Sequence, residues 1–308
     1  MAIVRHVMES SPRKRLVAVG ATCLTSIYRI ETIPVAPAKS VSAQACRVVD
    51  GMAISAACAF ARLGGEAEIW ARIGDDPQGA AMLVELADAG VDVSACRVIP
   101  GGRSSHSAVI VDRHGDRLVV PYHDPSLDRA ADWLPFERYA KADFMHCEVR
   151  WPEGAEAALA AARRVGLPAM LDGETAPLDV LHRLVPLATH AVFSDQGLFA
   201  FAGTGDLEAA LRHVAASHDG HVGASCGPAG YAWIENGTVR RVPAPKVDVV
   251  DTLSAGDVFH GALALALAEG RPMDAAARFA CVAASIKCTR FGGRLGCPTR
   301  DEVEAAGG

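Results

Sequence analysis

Residues 251–257 read DTLSAGD, and this stretch decides both the expected fold and the expected chemistry. It lies between an apolar segment, Val247–Val250, that we predict as a buried strand, and a helix predicted over Gly256–Glu269. Small residues ahead of a helix let backbone N–H groups converge, and the helix N-terminus adds partial positive charge, so the turn suits an anion. A carboxylate there, Asp257, is unfavourable beside an anion unless it accepts a proton from an attacking hydroxyl group. The residues alone are equally consistent with a simple N-cap.

Outward from this stretch, strand-like and helix-like segments alternate along the chain. Short apolar runs such as Leu16–Gly20 and Phe144–Cys147 are followed by Ala-rich amphipathic segments such as Met52–Leu63 and Gly154–Val165. Repeated strand–helix units are typical of a mainly parallel sheet. We therefore predict an α/β fold with a doubly wound sheet and helices on both faces.

Two stretches, about 25–50 and 103–124, break this alternation. The first has strand-like pieces at its ends and no helical period, and the second has two strand-like runs around the turn Arg113–Asp116. Strands inserted where a helix is expected usually leave the main layer. We predict that they form a small β lid over the carboxyl edge of the sheet, where open α/β sheets bind ligands. Residues 1–308 are then one domain with the lid inserted into it.

Composition excludes several classes of protein. The chain has 308 residues, half of them apolar and 21% charged, which excludes wholesale disorder. Its 36 acidic and 30 basic residues give a net charge of −6 without a basic stripe, which argues against nucleic-acid binding. The longest strongly apolar stretch, Gly261–Ala268, is far shorter than the roughly 20 residues of a membrane helix. The nine cysteines are odd in number and form no Cys-x-x-Cys pair, so we expect a reduced, cytoplasmic protein without membrane or nucleic-acid partners.

These residues resemble a known family. DTLSAGD followed by Val258–Ala262 is similar to the C-terminal signature of the ribokinase (PfkB) carbohydrate kinases, and Ala61–Gly64, Arg72–Asp76 and Lys287–Arg290 follow the family order. The resemblance covers nearly the whole chain and implies a ribokinase-like domain with a β lid, often a homodimer clasped through the lids. Within the family the sequence most resembles sulfofructose kinases, through Lys246–Asp251, Val149–Trp151 and Leu171–Gly173.

The resemblance implies an ATP- and Mg²⁺-dependent kinase that phosphorylates a hydroxyl group of a small sugar. Asp257 is then the catalytic base, and the N–H groups of Ala255, Gly256 and Asp257, in a loop opened by Ser254, form the anion hole for the γ-phosphate. The resemblance assigns nucleotide contacts to Asp251, Thr252, Gly227, Gly230 and Lys287. It assigns substrate contacts to Thr25, Lys39, Asp50, Gly51 and Arg150. Lys39 and Arg150 match the places where sulfofructose kinases bind a sulfonate. Mg²⁺ is expected to arrive with ATP, without a direct side-chain ligand.

Several positions depart from the family pattern. Thr25 replaces an Asp that holds sugar hydroxyls, Val49–Asp50 replaces a Gly-Gly hinge, and the Asn-x-x-Glu motif reads Ser194–Gly197. Ser254 replaces the first glycine of the anion loop, which costs about 1 kcal/mol if that position needs a positive φ. Asp50 repels an anionic sugar unless a cation compensates, or it takes over hydroxyl recognition from Thr25. Two alternatives stay open: a nucleoside kinase, and a small-molecule-binding protein of the same fold that has lost catalysis.

Overall fold

The structure is a computed structural model that describes residues 12–308, and its largest element is a nine-stranded sheet. Seven strands are parallel, and an antiparallel hairpin completes one edge. In spatial order the strands are β15 (Thr238–Val242), β14 (Tyr231–Glu235), β13 (His221–Ser225), β12 (His190–Ser194), β11 (Ala169–Gly173), β10 (Phe144–Cys147), β1 (Arg15–Val19), β4 (Glu66–Trp70) and β6 (Val91–Asp92).

Helices cover both faces of this sheet, which confirms the predicted doubly wound α/β fold. They are α1 (Met52–Arg62), α2 (Pro77–Asp88), α3 (Pro152–Val165), α4 (Leu178–Leu184), α5 (Asp195–Ala202), α6 (Leu207–Ala215), α7 (Ala255–Ala268), α8 (Met273–Cys288) and α9 (Arg300–Ala305). Side chains of β1 alternate between two cores because successive residues of a strand point to opposite faces. Leu16 and Ala18 join the core of α1, α7 and α8, whereas Val17 and Val19 join the core of α3 to α6. Within residues 12–308, no helix combines the length and the apolar character needed to cross a membrane.

The predicted lid is a separate four-stranded sheet. Its strands are, in spatial order, β3 (Gln44–Asp50), β2 (Cys23–Arg29), β8 (His106–Val111) and β9 (Arg117–Tyr122). One face carries Ile27, Val48, Val109 and Val111, which form a small core together with Leu253 and Phe291. The lid therefore packs directly on the neighbourhood of residues 251–257. A two-stranded ladder, β5 (Arg72–Gly74) and β7 (Arg97–Ile99), lies outside both sheets.

The prediction of a strand at Val247–Val250 is wrong. Residues 243–249 have no regular structure, and the N–H groups of Val250 and Asp251 donate to the carbonyl oxygen of Cys288. Prolines at 243 and 245 remove two backbone donors just ahead of the segment. One of its valines faces the lid instead: a Cβ on Gly115, in the β8–β9 turn, would lie 2.8 Å from Cγ1 of Val249.

Candidate active site

The N-terminus of α7 presents two backbone donors that have no partner among the described residues. Gly256 and Asp257 occupy the first turn of a 14-residue helix, where N–H groups have no intrahelical acceptor, and their N–H groups meet no other acceptor within residues 12–308. The predicted third donor is engaged, because the N–H of Ala255 donates to Thr252 O at 3.3 Å. A Cβ on Gly256 would meet no atom within 4 Å, so the space above the turn is open.

Ser254 begins this helix in a left-handed backbone conformation. Its φ is +59°, a value that residues other than glycine adopt at a penalty, so this position does require a positive φ. The Ser254 hydroxyl lies 3.3 Å from Oδ1 of Asp50, at the end of β3. The Asp50 carboxylate therefore helps to hold the loop whose usual glycine is missing.

Asp257 is half-buried at the open end of α7, among acidic neighbours. Burial raises the pKa of the Asp257 carboxyl well above its ordinary value, and the charges of Asp50 and Asp172 raise it further, while the Arg117 guanidinium opposes them. A carboxyl whose pKa approaches the working pH is better suited to general-base catalysis than an ordinary surface carboxylate. The site thus combines a proton acceptor with anion-binding donors.

Asp50, Gly51 and Thr25 line the junction between lid and sheet. Oδ1 of Asp50 accepts a hydrogen bond from Ser55 at 2.6 Å. Gly51 has a φ of +132°, and a Cβ there would lie 2.4 Å from Ala21 O, so only glycine fits this hinge position. The Thr25 hydroxyl is 2.8 Å from the Ser107 hydroxyl on β8.

The predicted nucleotide residues Asp251 and Lys287 are fully buried behind the loop. The Asp251 carboxylate accepts hydrogen bonds from the N–H groups of Leu253, Gly292 and Gly293 at 2.8 to 3.0 Å. Lys287 Nζ donates to Asp251 O at 2.6 Å and lies 3.5 Å from Oδ2. These contacts give the pair a role in shaping the loop, and a direct contact of either residue with a nucleotide stays a prediction.

Thr252 connects the loop to the lid. Its hydroxyl donates to Gly115 O at 3.2 Å and accepts a hydrogen bond from Arg117 Nη1 at 2.6 Å. Sequence reasoning missed Arg117, which stands at the start of β9 and brings a positive charge close to Asp257. Its only sequence signal was its position immediately after the predicted hairpin turn.

Gly227 and Gly230 form the turn between β13 and β14. Gly227 has a φ of +50° and is exposed at the end of β13, with open space around it. Gly230 has a φ of +89°, and a Cβ there would lie 2.0 Å from Val242 O, so packing of the edge hairpin alone demands this glycine. Of the two, Gly227 is the one positioned to approach a ligand.

The two cations predicted to bind a sulfonate, Lys39 and Arg150, are both exposed. Lys39 is exposed in the irregular segment 30–43, and its side chain forms no hydrogen bond or ion pair within the described part of the chain. Arg150 is exposed at the end of β10 and donates to Thr175 O at 2.9 Å. A joint role of Lys39 and Arg150 in binding an anion stays a prediction.

Further acidic and histidine side chains lie near the edge of the main sheet that holds these site residues. Sequence reasoning did not select them. Glu174 follows β11 and accepts hydrogen bonds from Thr175 and from the Ser194 hydroxyl, the latter at 3.1 Å. Asp195 opens α5 directly after β12. His146 on β10, Asp172 on β11 and His260 on α7 form a buried group with ligand atoms suited to a metal ion. Glu174, Asp195, His146 and Asp172 lie at or near the carboxyl ends of parallel strands, where ligands bind in open α/β sheets, whereas His260 comes from α7.

Comparisons with known proteins bear on this arrangement. The model of the pfkB carbohydrate kinase family matches residues 13–300. The chain belongs to this family. As a member it is an ATP-dependent carbohydrate kinase. The kinase is 29% identical over 262 residues to the ribokinase of Bacillus subtilis (strain 168), covering 83% of this chain and 87% of the relative. It is 29% identical over 276 residues to the fructokinase of Klebsiella pneumoniae, covering 82% and 90%.

A solved structure agrees over almost the full length. The crystal structure of a candidate ribokinase from Agrobacterium tumefaciens superposes with a TM-score of 0.92 at 41% identity, covering 96% of this kinase and 97% of that chain. Such agreement confirms the ribokinase-like fold expected from the DTLSAGD signature.

Proposed function

We propose that this kinase transfers the γ-phosphoryl group of ATP to a hydroxyl group of a small sugar or sugar derivative, a ketose or sulfosugar included, with Asp257 as the base. One observation carries the proposal. The Asp257 carboxylate, whose pKa is raised, stands beside two unbonded N–H groups at the start of a 14-residue helix. Phosphoryl transfer requires mainly positioning and charge stabilisation, and this arrangement offers both.

ATP and Mg²⁺ fit the residues present. The N–H groups of Gly256 and Asp257 face open space and would hold the terminal phosphate, while Gly227 would border the nucleotide. Glu174 and Asp195 supply carboxylates at the same edge, suited to the water shell of a magnesium ion. Mg²⁺, when bound, would neutralise phosphate charge.

Asp257 would take the proton of the attacking hydroxyl while the two N–H groups stabilise the negative charge on the transferred group. The raised pKa of Asp257 brings its proton affinity closer to what this step needs. Packing of the lid against Leu253 would exclude water from the reacting atoms.

Asp50 is proposed to recognise a substrate hydroxyl in place of Thr25. Thr25 is already paired with Ser107, whereas only Oδ1 of Asp50 is held, by Ser55 and Ser254. Oδ2 of Asp50 has no hydrogen bond within the described residues and remains available to a sugar. This role favours a neutral hydroxyl over an anionic group at that point, so any sulfonate would have to lie towards Lys39 or Arg150.

The lid is proposed to join two copies of the chain. Its outer face and its edge strand expose five large apolar side chains, namely Tyr28, Leu118, Val119, Val120 and Tyr122, at 42 to 56% relative exposure. An exposed apolar patch that continues along an unpaired edge strand is typical of an interaction surface. We therefore expect a homodimer of single-domain chains.

A turnover screen tests the function. The purified chain is incubated with ATP, Mg²⁺ and one acceptor at a time: an aldopentose, a ketohexose, a sulfosugar or a nucleoside. ADP release and the mass of the phosphorylated product are measured, and thermal shifts are recorded with the same acceptors. Phosphorylation of a sugar is the expected result. Turnover restricted to nucleosides would overturn the substrate class, and stabilisation by sugars without ADP release would overturn catalysis.

A further inference from the structure

Three side chains from different parts of the chain converge beneath the anion loop. His146 lies on β10, Asp172 on β11 and His260 on α7, and all three are at least 95% buried. One ligand-type atom of each lies within 4.8 Å of the others. The family reaction as proposed above uses none of these atoms directly.

Among the described residues, His146 lacks the hydrogen-bond partners that a buried histidine normally has. It has no exposed surface, and neither ring nitrogen has a hydrogen-bond partner within the described chain. A buried polar group without a partner costs about 1–3 kcal/mol, so such groups normally face an ion, a water molecule or a protein group. No residue in the range 12–308 forms a hydrogen bond with the His146 ring, although the Asp172 carboxylate and the His260 ring are close by.

His260 gives a second, independent sign. Its Nδ1 lies 2.8 Å from Gly256 O and 3.4 Å from Asp172 Oδ2, and its Nε2 lies 3.3 Å from Val192 O. Each of these oxygens faces the ring as an acceptor, yet a neutral imidazole carries only one N–H group. In the tautomer whose Nε2–H faces Val192 O, the Nδ1 lone pair faces the oxygens of Gly256 and Asp172, and a cation shared with Asp172 would relieve that contact.

The separation between His260 and Asp172 matches that of two ligands of one metal ion. Ligands that bind zinc tetrahedrally at about 2.0–2.2 Å are themselves about 3.4 Å apart, which is the separation of Nδ1 of His260 and Oδ2 of Asp172. Histidine ligands usually donate their other N–H to a carbonyl or carboxylate, and Nε2 of His260, 3.3 Å from Val192 O, is placed to do so. Two imidazoles and one carboxylate favour zinc-type ions over magnesium, which prefers oxygen ligands.

We propose that His146, Asp172 and His260 bind a divalent transition-metal ion of the zinc class beneath the anion loop. The ion would link β10 and β11 to the first turns of α7 and would neutralise the Asp172 carboxylate. Its net positive charge would lie under the helix end that presents Gly256 and Asp257. This metal site is distinct from the place of the magnesium ion that accompanies ATP. The proposal does not depend on which substrate the kinase phosphorylates.

Metal analysis tests this proposal without reference to activity. The chain is purified without an affinity tag, stripped with a chelator and dialysed against Zn²⁺, and bound metal is measured by mass spectrometry alongside the thermal midpoint. About one zinc per chain and a raised midpoint are expected. His146→Leu should lose at least about 10-fold in zinc affinity, whereas the exposed control His213→Leu should bind as the wild type does.

Failure of the proposal is equally visible in the wild-type protein. No bound zinc at micromolar free metal, or no change in thermal midpoint, would overturn it and would favour a neutral His260 whose Nδ1–H donates to Gly256 O. Unchanged zinc affinity in His146→Leu would also overturn it. If His146→Leu does not fold, Asp172→Asn replaces it, with the same predicted loss of zinc affinity and the same contradicting result.

Discussion

Replacement of Ser254 measures the strain stored in the anion loop. At φ +59° a residue with a Cβ pays about 1–2 kcal/mol relative to the right-handed conformation, which glycine avoids. Glycine also gains about 0.4–1 kcal/mol of freedom in the unfolded chain. The hydroxyl of Ser254, at 3.3 Å from Asp50, contributes about 1 kcal/mol at most. We therefore expect Ser254→Ala to be up to about 1 kcal/mol less stable than the wild type, and Ser254→Gly to be about 1 kcal/mol more stable than Ser254→Ala.

Urea denaturation followed by circular dichroism gives the free energies of unfolding. The same Ala-to-Gly change at Ala157, in the interior of α3, is the control and should instead destabilise by about 1 kcal/mol. The Ala-to-Gly change should therefore raise the free energy of unfolding at position 254 and lower it at position 157. If Ser254→Gly is no more stable than Ser254→Ala, the left-handed conformation is not strained and the reasoning fails.

Three further predictions concern charge and assembly. Asp50→Asn should move the acidic limb of the kcat/KM pH profile to lower pH, because removal of a neighbouring negative charge lowers the raised pKa of Asp257. The exposed control Asp248→Asn should leave this limb unchanged. An unmoved limb in Asp50→Asn would contradict the coupling between Asp50 and Asp257. Lys287→Met should lower the free energy of unfolding, measured by urea denaturation, by about 3–5 kcal/mol because the buried Asp251 carboxylate loses its cation. The double change with Asp251→Asn should cost less than the sum of the two single changes. Additive effects, or an equal cost in the exposed control Lys246→Met, would refute the ion pair. Val120→Asp should convert a dimer into a monomer by light scattering, whereas Val165→Asp on α3 should not, and a wild-type monomer would refute the lid interface.

The fold and the turn of small residues before α7 were predictable because their sequence signals are local. The turn of small residues before α7 lies within seven consecutive positions, and the alternation of strands and helices needs only short windows of sequence. The strain at Ser254 was also predictable, because a serine in the place of a loop glycine is strained if the position needs a positive φ. The structure shows that it does.

What the sequence did not reveal depends on long-range packing. Lys287 meets Asp251 only because the end of α8 returns to the loop, and Arg117 reaches Thr252 only because the lid folds over it. Val247–Val250 has the apolar character of a strand, yet its neighbour is the lid hairpin rather than the sheet. His146 and His260 are far apart in the chain, so no spacing rule could place them around Asp172.

The central claim is that Asp257 is the base, and the turnover number of Asp257→Asn tests it most directly. Once an acceptor sugar is found, kcat is measured for Asp257→Asn and for the control Asp248→Asn, and ATP binding is measured by calorimetry for both. We expect kcat of Asp257→Asn to fall about 10²- to 10⁴-fold with ATP affinity nearly unchanged, because the N–H groups remain in place. A kcat that stays near that of the wild type and of Asp248→Asn would contradict the account.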